Sequence, residues 1–415
     1  MPNYGRGGLH MKEILGGVTA VQGFTAAGVK AGLKKNGKKD MALVLSDTAA
    51  TVAGVFTTNV VKAAPVQRDI QLIKTKETAR GIVLNAGNAN ACTGEPGKEA
   101  DLAMAQGVAD ALGVQADEIL TASTGVIGQL LPKDKVVAGG KLLADALSKD
   151  GGSDAAEAIM TTDTYKKECA VQVEIGGKTV TIGAMTKGSG MIHPNMATML
   201  CVTTTDAAIS KEMLQAAISE TVKKTFNMIS VDRDTSTNDT YVIFANGKAG
   251  NAVITEKNAD YETFKDALEY VATNLAKKMA ADGEGATKLL EAKVINASSY
   301  EDACVLSKAI ITSNLVKAAV FGSDANWGRI FCAMGYSGVT FNPDIVDLYV
   351  ESEAGKLKLV ENGLMTDYSE DFATEILSGK EVTAIADMKS GNSEATAWGC
   401  DLTYDYVKIN GDYRS

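Results

Sequence analysis

The 415-residue sequence predicts a mixed α/β protein, and three observations carry that prediction. Short strand-like runs bounded by glycine or polar residues, such as Met41–Ser46, recur in the first part of the chain. Apolar residues at helical spacing recur throughout, most clearly Phe264, Leu268, Val271, Leu275 and Met279. Two alternating runs, Val171–Ile175 and Thr179–Ile182, flank Gly176-Gly177, a hairpin signal. Together they give the class but not the topology.

Taken in order, Gly17 to Val66 alternates strand-like runs with glycine and polar breaks, so Met41–Ser46 and Ala53–Thr58 read as two strands. Gly81–Leu84 reads as a short buried strand. It feeds Asn85-Ala-Gly-Asn-Ala-Asn-Ala-Cys-Thr-Gly94, where Asn and Gly suit a turn network with positive φ. Leu102, Ala105, Val108 and Leu112 predict a helix, and Thr121–Gly128 after it reads as a glycine-bearing loop. Such a loop can offer an N–H and a hydroxyl to a developing anion, although a plain turn is the commoner use of that composition. Pro132–Lys135 opens a helix with Val136, Leu143 and Leu147 on one face, and Gly139-Gly140 argues against it. Asp154–Met160 reads as a short helix leading into the polar run Thr161-Thr-Asp-Thr164. Leu214, Ile218, Val222 and Phe226 form a core-facing helical stripe. Lys317–Phe321 is a strand candidate, and Trp398, Cys400, Leu402, Tyr404 and Tyr406 have the period of a half-buried strand. The tail, Lys408–Ser415, is polar.

Composition excludes several classes. A net charge of −10 argues against nucleic acid as a partner, since phosphate binding draws on basic surface. The six cysteines are scattered, with no C-x-x-C pair, and read as reduced thiols. The first ten residues lack the apolar core of a signal peptide, and no uncharged apolar run is long enough to span a bilayer, so a soluble cytoplasmic protein is expected, with no membrane partner. Gly177-Lys-Thr179 lacks the earlier glycine of a phosphate-binding loop, Gln172 standing there. Ser230–Thr240 is dense in carboxylates and hydroxyls but lacks the glycine and terminal glutamate of a calcium loop, so no metal is expected.

The chemistry concentrates in Lys187-Gly-Ser-Gly-Met-Ile-His-Pro-Asn-Met-Ala-Thr-Met-Leu200. Two glycines and a proline make this a loop, and the apolar run Met199–Val202 resumes a strand, leaving the Thr198 hydroxyl at a loop-to-strand corner. A threonine becomes a competent nucleophile when its own α-amine is freed by a backbone cut, because that amine, with a reference pKa of about 7.7 to 8.0, then serves as base. Attack of the Thr198 hydroxyl on the Ala197 carbonyl, followed by ester hydrolysis, would make that cut. By itself the stretch reads first as a glycine-rich loop before a strand whose threonine is a β-former. No G-x-S-x-G elbow accompanies His193, which reads as shaping the loop.

This fourteen-residue stretch resembles the self-cleavage signature of the ornithine acetyltransferase family, the glutamate N-acetyltransferases of arginine biosynthesis, and the likeness extends from Gly17 to Ser415. The resemblance implies an α/β fold of stacked β-sheets between helical layers, of the self-processing N-terminal-nucleophile-like type shared by aminopeptidases and ornithine acetyltransferases. It implies cleavage at Ala197-Thr198 into an alpha chain, 1–197, and a beta chain, 198–415. It assigns Thr198 as the acetyl-carrying nucleophile and Thr124 and Gly125 to the oxyanion hole. Substrate contacts fall on Thr161, Lys187, Thr198, Glu284, Asn410 and Ser415. N-acetylornithine is the implied acetyl donor and glutamate the acceptor, with acetyl-CoA a second candidate donor, no other cofactor, and a heterotetramer of two alpha and two beta chains. Arg233 stands where the family pattern is expected to carry glycine, and Trp327 receives no catalytic role. Two other readings remain: a self-processing amidohydrolase or aminopeptidase of related fold, and a non-enzymatic small-molecule-binding protein that stays in one piece.

Overall fold

The computed structural model describes residues 11–193 and 199–413. In chain order the first unit runs β1 (Lys12–Ile14), β2 (Phe24–Val29), β3 (Met41–Phe56), α1 (Ala64–Thr75), β4 (Thr78–Asn88), α2 (Gly94–Leu112), β5 (Ile119–Val126), α3 (Lys133–Ala146), α4 (Gly152–Ala158), β6 (Lys167–Ile175), β7 (Lys178–Lys187), β8 (Leu200–Thr205), α5 (Lys211–Lys224), β9 (Thr240–Ala245) and α6 (Ala259–Ala281). The second runs β10 (Leu289–Ala297), α7 (Tyr300–Thr312), α8 (Asn314–Phe321), α9 (Trp327–Gly335), β11 (Asp347–Ser352), β12 (Gly355–Glu361), β13 (Leu364–Met365), α10 (Glu370–Leu377), β14 (Glu381–Asp387), β15 (Ser393–Cys400) and α11 (Tyr404–Asp412).

The first sheet has strand order β1-β6-β7-β8-β9-β3-β4-β5, with β2 also on β3. Among the described residues of this sheet, β8–β9 and β4–β5 pair in parallel and the other neighbours antiparallel. The two predicted strands at 41–46 and 53–58 are one long strand, β3, whose pairing with β4 slips between Leu45 and Ala50. That irregularity bends the sheet. Leu84, Val44 and Leu120 from the β3–β5 portion share one apolar cluster with Met185, Val202 and Phe244 from the β7–β9 portion. Among the described residues, seven-residue α4 is the only α-helix to lend that cluster more than one residue. It is too small to cover so broad a face, so the two portions cover each other. The outer face of β3–β5 carries α2 and α3 through Leu43, Val83 and Met104. The outer face of β6–β9 carries α5 and α6 through Val171, Ile182, Leu214 and Leu268. The result is stacked β-sheets between helical layers.

The predicted helices at 102–112 and 132–147 form, but Leu102 is exposed, and the α2 core face is Asp101, Met104, Ala105 and Val108. Gly139-Gly140 sits inside α3 because a side chain at 140 would overlap the backbone of Gly107 on α2, so the glycines set how closely the two helices approach. Helices α5, α6 and α7 open on Ser210, Asn258 and Ser299, whose side chains accept an N–H from the first turn.

The second sheet has order β13-β12-β11-β14-β10-β15, and its core is continuous with that of α5 and α6. Two expectations fail here. Lys317–Phe321 lies in helix α8, since a short apolar run does not by itself distinguish helix from strand. The strand at 398–406 stops at Cys400, and Tyr404 and Tyr406 belong to α11.

Candidate functional site

Strand ends supply the site. Thr121–Gly128 is mostly strand β5 rather than a loop, and the turn network at Asn85 begins as the last turnless residues of β4. Gly87 of β4 and Gly125 of β5 face each other in the parallel pair. Gly125 has φ +136°, and a side chain there would overlap the Gly87 and Asn88 backbone, so only glycine serves. Asn238 ties this corner to the segment before β9, donating from Nδ2 to the Ala89 carbonyl at 2.6 Å and the Ser123 carbonyl at 2.8 Å.

Lys187 ends β7 nearby and donates from Nζ to Thr124 Oγ1 at 3.2 Å. That bond occupies an acceptor position of the hydroxyl and leaves its proton free to donate. Burial lowers the Lys187 pKa, and the Asp163 carboxylate opposes the shift. Asp163 is itself buried, which favours its neutral form, but Lys187, Lys167 and the Thr161 N–H outweigh burial and hold its pKa at about 2. It accepts from the Gly188 N–H at 2.8 Å and from Lys167 Nζ at 2.8 Å. Lys167 reaches on to Asp282 at 2.5 Å, and Asp282 accepts from the Thr164 N–H at 3.0 Å and from its hydroxyl. This buried chain of charges joins the 161–164 run, β6, the end of β7 and the end of α6.

Glu284 follows α6. Its N–H donates to the Ser189 carbonyl at 2.8 Å, and its carboxylate lies where a side chain on Gly190 would stand. Asn410 on α11 donates to Glu284 Oε2 at 2.7 Å. Asp232 accepts the N–H groups of Met191 at 2.6 Å and Ile192 at 2.9 Å, pinning the loop that leads to residue 193. His193 Nδ1 lies 3.0 Å from Ser230 Oγ, and burial pushes its pKa down to about 4, a neutral ring that shapes the loop. Arg233 takes φ +70°, the conformation for which glycine is the easy choice.

Thr124, Gly125, Thr161, Lys187, Glu284 and Asn410 line one cavity of about 150 Å³, shared with Met199, Asn238, Asp239 and Tyr413. Ala197, Thr198 and Ser415 lie outside the described residues. The cavity thus opposes a hydroxyl and an amine to a carboxylate, the requirements of acyl transfer to or from an amino acid. Sequence reading missed Asp163, Lys167 and Asp282, and met Asp232 and Asp239 only within the carboxylate-dense run Ser230–Thr240, weighed there as a metal site. Asp163 and Asp282 lie in runs that read as solvated polar loops, and no local spacing couples Lys167 to Asp282, 115 residues away. Among the described residues no cluster of metal-binding side chains forms, and the Asp232 carboxylate of the Asp-rich loop accepts backbone N–H groups.

An acyl-transferring enzyme of amino-acid metabolism is the class that this fold and cavity define. A model described as the ArgJ family matches residues 25–415. The chain is 53% identical over 404 residues to the arginine biosynthesis bifunctional protein ArgJ of Caldanaerobacter subterraneus subsp. tengcongensis, covering 97% of this chain and all of that one. It is 54% identical over 407 residues to the same protein of Symbiobacterium thermophilum, covering 98% and 100%. A solved structure of ornithine acetyltransferase complexed with ornithine, from Mycobacterium tuberculosis, is 41% identical and covers 46% of this chain and all of that chain, with TM-score 0.42. The chain belongs to the ArgJ family. It is an N-acetyltransferase of arginine biosynthesis.

Proposed function

We propose that acetyl transfer runs through an acetyl-threonine at Thr198, formed after the chain cuts itself at Ala197-Thr198 into alpha (1–197) and beta (198–415) chains. The freed Thr198 amine takes the hydroxyl proton as Oγ attacks the acetyl carbon of N-acetylornithine. Thr124 and the Gly125 N–H stabilise the oxyanion, and ornithine leaves. Glutamate then takes the acetyl group by the reverse steps. The observation that supports this best is the cavity itself, in which Thr124, Lys187 and Glu284 converge beside Met199, the residue after the proposed nucleophile.

Roles follow from charge. Glu284, braced by Asn410, suits the ammonium of an ornithine-type substrate, while Lys187 suits a carboxylate or the developing oxyanion. Thr161, on the cavity wall, supplies a hydroxyl contact, and Ser415 is assigned a further one by family pattern. Acetyl-CoA as a second donor, a heterotetramer of two alpha and two beta chains, a cytoplasmic location and independence of any other cofactor belong to the same reading. No single helix among the described residues is long and apolar enough to cross a membrane.

The test is direct. Denaturing electrophoresis of the 43.3 kDa chain should give two fragments, the second beginning at residue 198. Initial rates with N-acetylornithine and glutamate should give parallel double-reciprocal plots, and Thr198→Ala should abolish both cleavage and transfer. Intersecting plots, or an active Thr198→Ala enzyme, would overturn the mechanism. Release of acetate without an amino-acid acceptor would favour the amidohydrolase reading.

A further inference from the structure

Two neighbouring hydroxyls on β5 are treated differently by the fold. Ser123 Oγ is buried and donates its proton to Asn85 Oδ1 at 2.6 Å. Thr124, on the opposite face of the strand, lines the cavity. Among the described residues its hydroxyl takes part in one hydrogen bond, as acceptor from Lys187 Nζ at 3.2 Å. A hydroxyl has one proton to give and two acceptor positions, whereas an ammonium has three protons and no acceptor. Contact with the ammonium therefore settles which way the Thr124 hydroxyl turns, its oxygen toward Lys187 and its proton toward the cavity.

Backbone holds both partners. Lys187 is paired with Leu200 of β8, and the N–H of the following Gly188 donates to Asp163 at 2.8 Å. Thr124 lies opposite Ala86 in the parallel β4–β5 pair, and the Ser123 carbonyl accepts from Asn238 at 2.8 Å. The two side chains thus meet across 63 positions of sequence because two strand ends are fixed side by side. Lys187 is only 8% exposed. A buried ammonium whose one hydrogen-bond partner among the described residues is a neutral hydroxyl is costly to keep, so its retention at this spot points to a task there.

We infer that Lys187 is a positioning residue that acts through Thr124: its ammonium occupies a lone pair of Oγ1 and so aims the hydroxyl proton at the acyl oxygen on which charge develops. The inference rests on the reading of Thr124 as an oxyanion donor, and it narrows Lys187 from a substrate contact to a contact on that donor. As a nucleophile adds to the acyl carbon, the carbonyl π pair moves onto the acyl oxygen. The Thr124 O–H bond stays intact, and its hydrogen bond to that oxygen tightens. A neutral amine at Lys187 would offer its own lone pair to the Thr124 proton and draw the hydroxyl away from the cavity. The polarity of one contact then sets whether Gly125 stabilises the oxyanion alone or together with Thr124.

Charges on every side bear on that polarity. Burial lowers the Lys187 pKa, Asp163 opposes the shift, Lys167 on β6 adds to it, and Glu284 after α6 and Asp239 before β9 oppose it. Lys34, between β2 and β3, is a further positive charge near it. Lys187 must be charged to act, so kcat falls as pH rises through its pKa, and burial brings that fall to lower pH than an ordinary lysine would set.

Wild type, Thr124→Ala, Lys187→Met and the double variant, compared by thermal unfolding and by kcat and KM from neutral pH to about 10, test this. Wild-type kcat should show an alkaline limb. Thr124→Ala should lose about 100-fold in kcat, and its residual rate should stay flat where the wild type falls. Lys187→Met should lose about tenfold or more in kcat with KM within about threefold of wild type, and adding it to Thr124→Ala should cost nothing further, since both changes remove one device. Should Lys187→Met fold poorly, Lys187→Arg takes its place, because a guanidinium stays charged throughout: turnover with the alkaline limb gone supports the inference, and an unmoved limb overturns it. A rise in KM at unchanged kcat in Lys187→Met, an undiminished limb in Thr124→Ala, or full additivity in the double variant would also overturn it. Unchanged kcat in Thr124→Ala would instead overturn the reading of Thr124 on which it rests.

Discussion

Gly190 shows how much one residue decides in this site. Any side chain there would occupy the volume of the Glu284 carboxylate. Gly190→Ala should therefore displace Glu284 and weaken amino-acid binding with little change in the core. The expected outcome is a rise in KM of about tenfold or more with an unfolding temperature within a few degrees of wild type, measured by initial rates and a thermal scan. An unchanged KM would mean that Glu284 does not hold substrate. At this scale the sequence was informative where one residue type has one use. Gly125 was marked only through the family resemblance and Gly190 only as part of a loop, while Arg233, in place of a glycine expected from that resemblance, takes the left-handed backbone that glycine would accept easily. Asp163, Asp239 and Asp282 were illegible for the opposite reason. A carboxylate in a polar run is ordinarily solvated, and only the folded chain shows these to be buried.

Elements hold the site through the charge chain Asp163–Lys167–Asp282, which joins β6 to the ends of β7 and α6. Lys167 is fully buried, so Lys167→Met would leave two carboxylates without their shared cation, at a cost of about 3–5 kcal/mol. Urea denaturation of the variant should report a loss of that order. The pH dependence has a definite sign. Asp163 has its folded pKa depressed from 3.8 to about 2, so its contribution is present above about pH 4 and is lost as pH falls towards 2. That contribution is on the order of 2 kcal/mol, and urea midpoints taken at pH 5, 3 and 2 would show it. Element types were legible where the period was long, as in α6. They failed for α8, a run too short to show its period, and for β3, where a polar stretch between two apolar runs hid a continuous bent strand.

The whole molecule separates support from closure. Stacked sheets fix Thr124, Gly125, Lys187 and Asp239 at strand ends, while the wall bearing Asn410 and Tyr413 comes from the last helix and the residue that follows it. None of the residues of α11 is fully buried, and Tyr404 and Val407 are largely exposed. Its anchors are few: Asn410 on Glu284, the Thr403 hydroxyl on the Gly285 carbonyl at 2.6 Å, the Tyr404 ring edge-on to Phe321, and Tyr406, partly buried against the core with its hydroxyl 3.4 Å from Asp232. So little buried apolar surface contributes little to global stability, because burial is the dominant favourable term in folding. A chain ending at Thr403 should therefore unfold within a few degrees of the full-length protein. Its KM for the amino-acid substrates should nevertheless rise by about tenfold or more, since Glu284 loses the amide that aims it. Asn410→Ala should reproduce part of that rise with the helix in place, which separates loss of the brace from loss of the wall. If truncation left KM unchanged, α11 would be an ornament on the cavity; if it unfolded the protein, the helix would belong to the core despite its exposure.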